Sequence, residues 1–97
     1  MPELTPREQR HERIQIMQAI ADSLLADQLD EPMKANVRLA LDELNDALEY
    51  LSEPAFDTRP RRQLIADMAI SNAESLLRGV ARANKLAGRD ASVFETD

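Results

Sequence analysis

The chain predicts an all-α fold, an antiparallel three-helix bundle, and three observations carry that reading. Its 97 residues include three aromatics (Tyr50, Phe56, Phe94) and two glycines (Gly79, Gly88). A composition rich in Ala, Leu, Glu and Arg favours helices over sheets. Three segments repeat their apolar residues with the helical period. Two proline-containing breaks, at Asp30-Glu31-Pro32 and between Ser52 and Pro60, separate those segments.

The first helix opens on Thr5-Pro6-Arg7-Glu8, a capping box with proline at the first helical position. Ile14, Met17, Ile20, Ala21, Leu24 and Leu25 then share one face, and the pattern places the helix at about 6–28. Pro32 suits the first turn of a second helix, with Asp30 as cap and Glu31 favourable to the dipole. That helix is expected at about 31–51, with Val37, Leu41, Leu44, Leu48 and Leu51 as its seam. Asp42, Asp46, Glu49 and Glu53 repeat with the same rhythm on the opposite face.

In the linker, Phe56 is expected to tuck onto the core, and Asp57 or Thr58 to cap the third helix. The third helix is expected at about 60–87, with Gly88 as its C′ residue. Its central seam reads Ile65, Ala69, Ala73, Leu76, Val80, Ala83, Ala87. Leu64, Met68 and Leu86 flank that seam on one side, and Ile70, Leu77 and Ala81 on the other. The polar strip holds Asp67, Glu74, Arg78, Arg82 and Lys85. The small residues Ala69, Ala73, Gly79 and Ala83 permit close helix approach, Gly79 at a cost of about 1 kcal/mol in a helix interior. Asn72 borders the seam at its wet edge.

Residues 1–88 form one expected domain, and 89–97 an acidic tail expected to be disordered. Short connections make neighbouring helices antiparallel. The third helix then carries more apolar surface than two modest partners cover, and Leu39 and Tyr50 lie outside the second helix's seam. A small domain with surplus apolar surface is expected to dimerise, the alternative being a monomer in which the third helix is central and its flanks are ordinary core. The candidate core or dimer-interface residues are Leu39, Tyr50, Leu64, Met68, Ile70 and Leu77.

Formal net charge is −6 and there is no cysteine. The first argues against wholesale nucleic-acid binding, and the second excludes Cys-ligated metals and a disulfide framework. No apolar leader or run of about 20 apolar residues is present, so a cytoplasmic protein without a membrane span is expected. His11 is the sole histidine, and Glu8-x-x-His11 has a metal-ligand spacing without the second motif such a site needs. No serine has a partner base, no phosphate loop exists, and the acidic residues of the second helix are too widely spaced to converge on a cation. No catalytic residue, cofactor or metal is assigned.

Charge placement carries the functional reading. In an up-down-up bundle Arg7, Arg10, His11 and Arg13 approach Arg59, Arg61 and Arg62, although cations at helix N-termini oppose the dipole. Glu8, Glu12, Glu49, Glu53 and Asp57 lie near the same end and are available to neutralise them. The candidate binding residues are the acidic stripe Asp42, Asp46, Glu49 and Glu53, and the basic residues Arg59, Arg61 and Arg62. The expected function is a non-enzymatic protein-interaction module: a regulator, adaptor or inhibitor. A nucleic-acid-associated regulator using the Arg-rich pole is the first alternative, weakened by the absence of a helix-turn-helix pattern. A small helical enzyme is the second, weakened by basic residues placed at helix ends and on polar faces. The tail pair Val93-Phe94 is a secondary docking candidate.

Overall fold

The structure is a computed structural model that describes residues 3–27 and 29–86, with the backbone alone at Leu86. The expected C′ role of Gly88, the seam position of Ala87, the side chain of Leu86 and the tail 89–97 with Val93-Phe94 lie outside the described residues. The order is α1 (Pro6–Ala26), α2 (Glu31–Leu51), a 3-10 turn (Phe56–Thr58) and α3 (Pro60–Leu86).

Both halves of the capping box form at the start of α1. The Thr5 hydroxyl accepts from the Glu8 backbone N–H at 3.1 Å, and Glu8 Oε1 accepts from the Thr5 N–H at 3.0 Å. Ile14, Met17, Ala21 and Leu24 are buried at the 3-4-3 spacing of one helical face. The helix ends at Ala26, short of the expected residue 28, because Asp27 takes an extended conformation. The chain turns there with Leu29 buried in the core, at a position past the helical face that the periodicity followed.

Asp30 is the extended N-cap of α2, and its carbonyl accepts from the Lys34 N–H at 3.0 Å. The buried face is Val37, Ala40, Leu44, Ala47 and Leu51. Leu41 and Leu48, expected in the seam, are half-buried beside it. Alanines let a neighbouring backbone approach, so the centre of the contact follows Ala40 and Ala47 rather than the larger side chains. The seam of α3 is rotated in the same way. Ala66, Ala69, Ile70, Ala73, Leu77, Val80 and Ala81 are buried, while Ile65, Leu76 and Ala83 are half-buried at its edge.

Phe56 is fully buried. Neither expected cap of α3 serves that helix. Thr58 Oγ1 donates to the Ala55 carbonyl at 3.0 Å, and Asp57 Oδ1 accepts from the backbone N–H of Arg7 at 2.8 Å. Arg7 is the second residue of α1, so Asp57 satisfies an orphan amide at the start of a helix about fifty positions earlier in the chain. Its negative charge also complements that helix's dipole.

One core joins the elements, with Phe56, Ile14, Leu24, Leu44, Ile70, Leu77, Val37 and Val80 among its fully buried side chains. Each such side chain contributes roughly 1.5–3 kcal/mol relative to exposure. Asn84 is buried with them, a polar position that the periodicity had not singled out.

Candidate interaction surface

The basic pole is largely neutralised from within. Arg7 Nη2 donates to the Glu53 and Pro54 carbonyls at 2.6 and 3.3 Å, which ties the linker to α1. Arg10 grips Asp67 with two parallel bonds, Nε to Oδ1 at 2.9 Å and Nη2 to Oδ2 at 2.8 Å, and donates from Nη1 to the Pro6 carbonyl at 3.1 Å. Its guanidinium also lies over the Phe56 ring, 5.7 Å from the centroid. Arg13 pairs with Glu74 at 3.3 Å. Arg62 pairs with Glu53 at 3.3 Å and lies over the Tyr50 ring at 5.7 Å. Arg59 and Arg61 are exposed and make no ion pair among the described residues. The neutralising carboxylates are therefore Asp67, Glu74 and Glu53. Of the acidic residues expected to serve, Glu53 alone pairs with an arginine side chain, and Glu8 and Asp57 bind backbone amides instead.

The outer face of α2 is the opposite case. Asp42, Asp46 and Glu49 are exposed, Glu43 is half-buried, and none of the four makes an ion pair among the described residues. Glu53, expected in the same stripe, is held by Arg62 but still lines a cleft of about 490 Å³ with Asp46, Glu49 and Tyr50. The pairs Asp42/Asp46, Glu43/Asp46 and Asp46/Glu49 stand three or four residues apart, where like charges destabilise a helix by about 0.2–0.5 kcal/mol per pair. Glu49 lies in the last turn of α2, and no basic residue offsets it there. Glu43 was missed in the sequence. A signal for it exists: residues 39–58 contain Asp42, Glu43, Asp46, Glu49, Glu53 and Asp57 and no Lys, Arg or His.

The apolar candidates divide. Ile70 and Leu77 belong to the core, and Tyr50 is half-buried against it. Leu39, Leu64 and Met68 are 53%, 60% and 58% exposed. Asn72 is exposed and lines a second cleft, of about 440 Å³, with Glu43, Ser75 and Leu76. Gly79 does not serve close packing, since a Cβ added there would meet nothing within 4 Å among the described residues.

His11 is exposed, and the Glu8 carboxylate is engaged in the capping box. The Thr5 backbone N–H, and after it the Thr5 hydroxyl, hold that carboxyl below its ordinary value. Among the described residues no three His, Cys, Asp or Glu side chains are placed to hold a metal ion, and no helix is long and apolar enough to cross a membrane. No protein-family model matches the chain, and neither does a characterised protein or a solved structure.

Proposed function

We propose that the chain is a small protein-interaction module, a regulator, adaptor or inhibitor, that docks a partner through the acidic face of α2. The observation behind this reading is the contrast between two charged regions. The arginines of the pole are mostly bonded within the fold, whereas Asp42, Glu43, Asp46 and Glu49 are like-charge neighbours that make no ion pair among the described residues. Their placement weakens α2 locally, so the stability of the chain does not account for it. A basic protein surface does, and exposed carboxylates grouped on one face speed encounter with such a surface in a salt-dependent way.

The test is affinity capture from nuclease-treated lysate at low and moderate salt, using the natural chain and the triple variant Asp42→Lys, Asp46→Lys, Glu49→Lys. A stoichiometric protein is expected on the natural chain at low salt, reduced at moderate salt and absent from the variant. Equal capture by the variant removes the acidic face from the function. Nucleic acid that co-purifies when nuclease is omitted, and is lost on changing Arg59 and Arg61 to Glu, assigns the function to the basic pole instead.

A further inference from the structure

We infer that the open face between α2 and α3 is a seat for a basic amphipathic helix of a protein partner. This rests on the interaction-module reading and adds to it the place and the form of the ligand. On α2, Leu39, Glu43, Asp46 and Tyr50 follow one another at i, i+4, i+7 and i+11, and so share one stripe. On α3, Leu64, Met68, Asn72 and Ser75 stand at i, i+4, i+8 and i+11. The cleft lined by Glu43, Asn72, Ser75 and Leu76 sets the two stripes side by side. Gly79 extends the α3 stripe, with open space where a side chain would stand. The result is a shallow track of mixed character, in which Leu39, Leu64 and Met68, all more than half exposed, stand among the polar Glu43, Asp46, Asn72 and Ser75. One edge of it is formed by Asp42, Asp46 and Glu49. From Leu39 to Tyr50 the track is about 16 Å long at the rise of a helix, which matches three turns of a docked helix.

The charge decides the occupant. A second copy would bring another net charge of −6 and four more carboxylates without an ion pair among the described residues, against which it offers Arg38 of α2 and Arg61 and Arg82 of α3. A helix with an apolar stripe flanked by Lys or Arg satisfies both halves of the face. Its stripe covers Leu39, Leu64 and Met68, and its cations meet Glu43, Asp46 and Glu49. This is recognition of a helix in a groove, read as anchors at i, i+3 or i+4, and i+7.

The experiment is fluorescence anisotropy on the full chain with a labelled model peptide of roughly 18 residues, five helical turns, carrying one leucine stripe in a lysine background. A scrambled peptide of the same composition is the control. The amphipathic peptide is expected to bind at least about ten-fold tighter than the scrambled one, and Met68→Asp to weaken it about ten-fold. Ile16→Asp, the same change at an exposed apolar residue of α1, is expected to leave binding undiminished or slightly tighter. The Asp variants separate the seat from general attraction, because an added negative charge by itself would tighten a cationic peptide. Leu64→Asp repeats the test if the Met68 variant loses its helical circular dichroism. Equal binding of the scrambled peptide, or undiminished binding by the folded Met68→Asp or Leu64→Asp variant, overturns the inference. So does a natural chain that sediments as a dimer which Met68→Asp splits, since the face then belongs to a second copy. If the peptide fails while the triple Lys variant still loses a captured protein, the seat is wrong and the interaction-module reading stands.

Discussion

The pole where the start of α1, the linker and the start of α3 meet holds six arginines; the outer face of α2 holds, within eight residues, four carboxylates that make no ion pair among the described residues. By charge count alone the pole is the more conspicuous binding surface. Bond by bond it is the less available one. Arg7 closes the linker, Arg10 joins α1 to Asp67 of α3 while covering Phe56, and Arg62 holds Glu53 over Tyr50. The α2 face has no such internal use. Charged groups that complete a fold therefore have to be separated from charged groups that the fold leaves over, and the two regions are expected to respond to mutation with opposite signs.

The largest effect belongs to the pole. Phe56→Ala empties a fully buried site beneath the Arg10 guanidinium and is expected to cost about 3–5 kcal/mol, read by chemical denaturation. A loss below about 1 kcal/mol would mean that the linker does not belong to the core. Arg10→Met comes next. Its side chain is 16% exposed and its partner Asp67 38%, so the two-bonded pair is partly screened and its loss is expected to cost about 1–2 kcal/mol. The single-bonded Arg13–Glu74 pair is more open, and Arg13→Met is the comparison expected to cost less.

On the α2–α3 face the sign reverses. Gly79→Ala fills open space in a helix interior and is expected to stabilise by up to about 1 kcal/mol, or several degrees in Tm for a chain of this size. Asp46→Gln removes like-charge neighbours at Asp42, Glu43 and Glu49 and is expected to stabilise by a few tenths of a kcal/mol, most at low salt. Destabilisation by either substitution would show that the face has a structural role, as the pole does.

How much of this was legible in the sequence differs between the two regions for a physical reason. Local signals read well. Thr5-Pro6-Arg7-Glu8 placed the start of α1, Pro32 and Pro60 sit in the first turns of α2 and α3, and an isolated aromatic among linker prolines marked Phe56 for burial. The acidic stripe also follows from helical spacing alone. What failed depends on how helices rotate against one another. The seams of α2 and α3 turn toward Ala40, Ala47, Ala66 and Ala73, because small residues decide closest approach while large ones dominate a periodicity count. The arginine partners Asp67 and Glu74 lie some sixty positions from Arg10 and Arg13, and spacing along the chain carries no information about them. Asp57 stood near the right helix end for a cap of α3, yet the tertiary fold aims it at α1.

The smallest effect is the most local. Glu8 is fully exposed, and the hydrogen bonds to Thr5 hold its carboxyl below the ordinary value. A carboxyl depressed in the folded state binds its proton more readily in the unfolded state. Its contribution is thus complete above the unfolded value and is lost as pH falls through the lower, folded one. Glutamine at this position keeps an acceptor for the Thr5 N–H but cannot titrate. The Tm difference between the natural chain and Glu8→Gln is therefore expected to stay constant with pH above the ordinary carboxylate range. Below that range it is expected to shift in favour of the variant, which does not lose its cap to protonation. A difference that stays flat through the acid limb would mean that the capping box holds equally well when Glu8 is protonated. The charge of Glu8 would then add nothing at the N-terminus of α1.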